Sequence, residues 1–522
     1  MNARVIALLL AGVGLAAAGC VSPAGDVNAA SADSPAAADD WWHINYGEDH
    51  DHSDWSHHEG KTTPNFQELG WDPLTTARYG STATGMGCGG TGVTPEGRKL
   101  AVVHTISTEV AFAVADITDP ANPMMLGEYL LPNAVVWDAT ITPDGLHALI
   151  GAYPPIFGGR GVVLPPTDMT DAINAQRMAD AQVSGETWQV QPMWRDACTG
   201  IAVPAGPEQY LPMGPGIVMV GLQNPESPEF EDWVSQPVIG PHSVSSQLID
   251  GTVYAISSVT NLAHDASYYS FFQIIGPKLV PFAVLESQSE GPVRGGADNG
   301  HTEAELGIHP VTGQLLAYTA DWNEGAGIWD LSIPAAPQLI GTFKDGNTGG
   351  MHSLLPSQEM WGDRHITIVG TETGEPVDLP SGIIYILDTT DPTNPVELSR
   401  WTLPFKPVWD GGGLQFSTHY MFMDGHDTMF VSNYHGGLWA VDLTDLTHPE
   451  TIGRFVPTNV PETTYGGGSF GPGIEDVVVD PETHVVTTWD NSGGIYQLSF
   501  DRSIVLEDIP EWGEGSTLPG GE

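Results

Sequence analysis

Four histidines, His242, His301, His352 and His419, stand at the same phase of a unit that repeats along the chain at a spacing of roughly 50 to 65 residues. Neutral imidazoles held on rigid strands are what a transition-metal site needs, and they suit copper, iron or zinc. Acidic and polar groups close by would hold each ring's other N–H and fix its tautomer. Glu372 and His435 fall in turns at the matching end of the repeat and are the candidates for that supporting role. A histidine at such a position can instead hydrogen-bond the backbone of its neighbour and seal the structure without binding a ligand. The residues alone leave both roles open. Ser or Cys nucleophile motifs, phosphate-binding glycine loops and CxxC pairs are absent.

To bring positions so far apart to one point, the repeat must form a closed array. Its most regular copies are AFAVADITDPANPMMLGEY from Ala111, AGIWDLSIPAAPQLIGTF from Ala326, IIYILDTTDPTNPVELSRW from Ile383 and GLWAVDLTDLTHPETIGRF from Gly437. Each reads as an apolar strand, an Asp that can accept hydrogen bonds from the following turn, a proline-bearing turn and a second strand. Both faces of the first strand are apolar, so it must be covered on both sides. Stacked propeller blades meet that demand.

The innermost strand of each blade is expected to begin near Cys88, Asp138, His242, His301, His352, His419 and Asp476, which predicts an all-β, seven-bladed β-propeller of four-stranded antiparallel blades. An insertion in blade two is expected over about residues 154–214, with a helix-like stretch from Thr170 to Ala181; an eighth blade is the alternative. FQELGWDPL, Phe66 to Leu74, resembles the outer strands QLIGTF and ETIGRF but precedes blade one. It is therefore expected to close the ring by pairing with the strand around Ile495 to Phe500, the competing donor being RSIVLEDI from Arg502.

In an antiparallel blade, the start of strand one and the turn between strands two and three share an end. The four histidines should thus meet the turns beginning at Asp321, Glu372, Asn433 and Asp490 around one axial cavity. His309, His365, His426 and His484 fall at the other end or in second strands, and are expected to be solvated.

Composition narrows the partners. Of 522 residues, 65 are acidic and 16 basic, giving a formal net charge of −49. So negative a surface repels nucleic acid and anionic lipid headgroups, which excludes DNA or RNA as a partner. Residues 1–19 read as a signal peptide: Arg4, then the apolar run Val5 to Ala18, then Ala17-Ala18-Gly19-Cys20, which resembles a bacterial-type lipobox. Cys20 is the expected lipidated first residue, with a plain signal peptide as the alternative. Membrane association would then come only through the lipid anchor, with the body outside the cytoplasmic membrane, at the cell surface or in a periplasm. Residues 20–60 form an acidic, histidine-rich tether whose imidazoles (His43, His50, His52, His57, His58) lack any fixed ligand spacing; the propeller follows over 61–510, and 511–522 is a tail. Cys88 and Cys198 are a candidate disulfide in an oxidising compartment, or else two buried thiols.

The hairpins DITDPANP and DTTDPTNP, with FSTHYMFMDGHDTMFVSNYHGGLWAVDL from Phe416 and MHSLLPS from Met351, resemble LVIVD-repeat proteins, a family of secreted seven-bladed β-propellers. The likeness extends over roughly Gly85 to Phe500. It implies an extracytoplasmic propeller whose motif histidines correspond to His301, His352 and His419, and whose hairpin acids correspond to Asp116, Asp330, Asp388 and Asp442. The chain departs from the pattern in the blade-two insertion, in Leu446 where proline is expected, and in Asn224 where Asp is expected. A remoter resemblance is to propellers with axial, histidine-bound metal, such as the selenium-binding protein and carotenoid oxygenase families. Two functions follow as expectations: a lipid-anchored module binding an extracellular ligand or protein, with a metal at the axial histidines, or a metal-dependent oxidase or hydrolase using the same four histidines.

Overall fold

The structure is a computed structural model that describes residues 62–74, 86–105, 110–131, 135–153, 193–195, 202–204, 216–235, 241–261, 266–288, 303–321, 325–344, 350–372, 382–403, 417–434, 436–457, 473–490 and 494–506. Among the described residues there is no helix. They form seven four-stranded antiparallel sheets and one short hairpin, Met193–Arg195 with Ala202–Pro204. The innermost strands are Met86–Val93, Val135–Ile141, Pro241–Ile249, Ala304–Ile308, Met351–Pro356, Met421–Asp424 and Ile474–Val479. Each contacts the next, and the last contacts the first, so the sheets are the blades of a seven-bladed β-propeller.

What holds the ring is burial between blades. Seven apolar clusters occupy the seven interfaces between adjacent blades. Ile366, Ile384 and Trp401 of blade five pack with Met429 and Trp439 of blade six, and Trp489 and Ile495 of blade seven pack with Ala101 and Ala113 of blade one. The two-sided apolar runs need this arrangement: the third strand of blade one, Val110–Asp116, is buried at every position up to its final Asp. Stability in such an array is a sum over neighbouring interfaces.

The hairpins between strands three and four are built as their sequences imply. Oδ1 of Asp116, Asp330, Asp388 and Asp442 accepts the backbone N–H two residues on, at 2.9, 2.8, 3.0 and 2.7 Å. These Asx turns fix the chain's exit from the sheet. At three junctions the next blade's hairpin lies on the outer strand of the preceding blade at a glycine. A Cβ added at Gly70, Gly127 or Gly341 would stand 2.4, 2.6 or 2.1 Å from the carbonyl oxygen of Pro120, Pro225 or Pro392. The glycine of the outer-strand motif is thus an inter-blade contact.

Ring closure follows the expected route. Phe66–Asp72 is the outer strand of blade seven and pairs antiparallel with Gly494–Phe500, from Phe66 opposite Phe500 to Asp72 opposite Ile495. Arg502 does not begin a strand; its guanidinium bonds the Asp427 carbonyl oxygen and the Thr428 and Thr444 hydroxyls.

In blade two, His147–Tyr153 pairs directly with Gly216–Gly221. The insertion expected over 154–214 falls almost wholly outside the described residues, as do the helix-like stretch, the signal segment with Cys20, and the tether.

Candidate metal centre

The ends of the innermost strands are not regular. In five blades the pairing of strands one and two slips at the head, between Met86 and Gly89, Val136 and Ala139, Pro241 and Ser243, Met351 and Ser353, and Ile474 and Asp476. Such bulges leave a residue unpaired and re-aim its side chain. Cys88, Asp138, His242, His352 and Glu475 occupy these slips. Blade six does the same with backbone alone: Ser432 accepts the N–H of His419 at 3.0 Å and donates to the carbonyl of Tyr420 at 2.9 Å.

Two of these heads meet. The His352 and His419 rings lie 4.6 Å apart between centroids, and His352 Nε2 is 3.5 Å from Glu372 Oε2. Ligating atoms of His352, Glu372 and His419 all fall within 4.8 Å of one another, and all three residues are buried. His419 Nδ1 is 2.8 Å from the Glu475 carbonyl oxygen. A carbonyl only accepts, so Nδ1 carries the proton and the lone pair is on Nε2. Tyr434 O–H donates to Glu372 Oε1 at 2.5 Å. The Tyr434 backbone is left-handed, at φ 35°, and is held there by the Ile474 amide, which bonds its carbonyl at 2.8 Å. Strain of this kind persists only where surrounding contacts impose it.

Burial keeps the imidazoles neutral. It pushes the His352 pKa down to about 4, and, with the charge of His352 adding to burial, that of His419 to about 3. Neutral imidazole is the form that binds metals. Two neutral nitrogen donors beside a carboxylate can therefore take a divalent transition ion.

The same end of the barrel also carries inter-blade seals. Asp138 Oδ2 accepts the Val244 amide at 2.8 Å, Glu303 Oε2 the Leu354 amide at 3.1 Å and Asp476 Oδ2 the Gly89 amide at 3.0 Å. Each bond runs from one blade to the next. The His419–Glu475 bond does likewise, so this histidine both seals the ring and presents a lone pair. Burial raises the pKa of Asp138 and Glu303 well above the carboxyl range, and that of Asp476 to about 7.

Of the four predicted histidines, then, His352 and His419 come together. His242 opens blade three at a bulge, half-buried, and is in none of the ligand groups found among the described residues. His301 and His435 lie outside the described residues. Glu372, expected to support the rings from behind, has its Oε2 within 3.5 Å of His352 Nε2. Cys88 is buried, with Sγ 4.0 Å from His419 Nδ1, and has no disulfide partner among the described residues; its expected partner Cys198 lies outside them. Burial, then the charges of Asp138, Glu475 and Asp476, push that thiol's pKa well up.

The expectation that His309 and His365 are solvated is wrong: they are 0% and 1% exposed, with rings 4.7 Å apart. His309 Nε2 bonds the Thr389 carbonyl at 2.9 Å, and His365 bonds the Thr389 hydroxyl and the Ser357 carbonyl at 2.8 and 2.9 Å. These hydrogen bonds remove the cost of burying the two rings. His426 and His484 are exposed, at 51% and 67% of their side chains. Tyr434 lies in the turn beginning at Asn433 that the sequence placed at the axis, while His104 and Tyr420 were not singled out. Of these two, His104 has a signal in its position, near the end of the second strand of blade one, Lys99–Thr105, where the heads gather.

The LVIVD repeat family model matches residues 316–345, the second to fourth strands of blade four. A search of curated proteins finds no match. The chain is a seven-bladed β-propeller that carries an LVIVD repeat.

Proposed function

We propose that the protein is an extracytoplasmic, lipid-anchored binding module whose propeller axis holds a divalent transition ion, copper, iron or zinc, through His352, His419 and Glu372. The observation that carries the reading is the convergence of two buried, neutral imidazoles and one carboxylate with ligating atoms within 4.8 Å of one another. Tyr434 orients the carboxylate and the Glu475 carbonyl orients His419, the kind of outer support that metal ligands receive. The lipobox-like Ala18-Gly19-Cys20 supports the anchored, exterior setting. A metal-dependent oxidase or hydrolase is the second reading. Asp476, with its pKa near 7 in the same axial group, favours it, because such a carboxyl can exchange protons at neutral pH.

Metal analysis of protein prepared without chelators tests the binding claim. Stoichiometric copper, iron or zinc in the wild type and its loss in His352→Asn, His419→Asn and Glu372→Gln variants that retain their circular dichroism is the expected result. Unchanged metal content in all three refutes it. For the anchor, Cys20→Ser is expected to move the protein from the membrane fraction to the soluble one.

A further inference from the structure

A second donor set lies at the same end of the axis, on blades one and two, and shares no residue with the first. Cys88 projects from the bulge of blade one and is 4% exposed. His104, at the end of the neighbouring strand, is 1% exposed. Asp138, from the bulge of blade two, is 4% exposed. Ligating atoms of the three lie within 4.8 Å of one another.

His104 is the informative member. Its Nδ1 is 3.1 Å from the Cys88 carbonyl oxygen, so Nδ1 carries the proton and the lone pair sits on Nε2. That Nε2 is fully buried and has no hydrogen-bond partner. A buried acceptor left unpaired is uncommon, and a metal ion is one of the few things that would satisfy it. The N–H to carbonyl bond behind it is the usual support of a ligating imidazole. Space for the ring is kept by Gly87, where a Cβ would stand 2.6 Å from His104 Cε1 and 1.8 Å from Glu475 Oε2.

Cys88 also approaches His419, but the contact is to Nδ1, whose proton is committed to the Glu475 carbonyl. While that bond holds, His419 cannot offer this nitrogen to a metal at Cys88. The grouping of the thiol with His104 and Asp138 carries no such conflict.

We propose that Cys88, His104 and Asp138 form a second metal site, selective for a thiophilic divalent ion of the zinc class. Sulfur, nitrogen and oxygen donors in one set of three match that ion, with a coordination position left over for an outside ligand. Binding forms a sulfur–metal bond and breaks the S–H bond, the proton leaving to solvent. The Cys88–Cys198 disulfide and this site exclude each other, since a disulfide sulfur has no thiolate to give.

The test is cobalt(II) loading of the metal-free, full-length protein under reducing agent-free conditions. A thiolate-to-cobalt charge-transfer band in the near ultraviolet is expected, present in Cys198→Ser and absent in Cys88→Ser. His104→Gln is expected to weaken the loading that gives this band by about 10-fold or more. The band should persist in His352→Asn, which removes only the site of the proposed function, so the two readings fail separately. Wild-type protein that takes up cobalt with no thiolate band overturns the proposal, whether or not the variants fold. So does a wild-type protein with no free thiol at position 88 by mass-mapped alkylation.

Discussion

Replacing Phe66 by alanine removes the anchor of the strand that closes the ring. Phe66 is 5% exposed and belongs to the apolar cluster between blades six and seven. Its ring lies 4.8 Å from Phe500, 6.1 Å from Phe430 and 6.4 Å from Phe455. Truncating a fully packed phenylalanine costs about 3–5 kcal/mol in transfer and cavity terms. Three aromatic neighbours and a site walled by two blades place this residue at the upper part of that range. Because whole-domain stability is only about 5–15 kcal/mol, the loss is large. Urea unfolding followed by tryptophan fluorescence should show the midpoint falling with the slope unchanged, the mark of an altered stability. Val505→Ala, at a side chain 87% exposed in the segment that would be the rival closing strand, should shift stability by less than about 0.5 kcal/mol. A Phe66→Ala cost below about 1 kcal/mol, or a Val505→Ala cost that matches it, would refute the closure argument. Deleting residues 62–74 should be worse still, because Gly494–Phe500 becomes an exposed apolar edge.

Two further outcomes follow from the same geometry. Gly341→Ala puts a Cβ 2.1 Å from the Pro392 carbonyl oxygen, and since backbone must move, a loss of about 1–3 kcal/mol is expected in the same urea assay; an unchanged midpoint would mean that the hairpin does not dock on the outer strand. His365 is pushed down to about 4, first by burial and then by the charge of His309. The unfolded chain, with its ordinary value near 6.5, therefore binds the proton first. Stability is full above about pH 6.5 and falls as the pH drops towards 4, by on the order of 3 kcal/mol for this group alone. His365→Gln should flatten that part of the pH–stability curve, and an identical curve would contradict the assignment.

The fold was legible because its rule is local and repeated. An Asp that caps its own turn and a proline in that turn recur in each copy, and Phe66 to Leu74 carries enough of the outer-strand pattern to be paired with blade seven from sequence. The site was legible only in outline. Strand phase put His352, His419 and Cys88 at one end, but alternation along a strand says nothing of a bulge, and the bulges decide which head side chains meet. Glu372 could be placed in the right turn and not at the right distance. The burial of His309 and His365 is hidden for a related reason: Thr389, just past the third strand of blade five, bonds both rings, 80 residues from His309 and 24 from His365, and no local pattern marks that pairing.

The measurement that bears most directly on the proposed metal centre is an anomalous difference map from crystals of the full-length protein grown with zinc, collected at the zinc absorption edge. A peak is expected about 2.0–2.2 Å from a ring nitrogen of His352, from Nε2 of His419 and from a carboxylate oxygen of Glu372, with the His419 Nδ1 to Glu475 carbonyl bond intact. A map with no peak among these three residues, their imidazoles bonded only to the backbone of neighbouring blades, would contradict it.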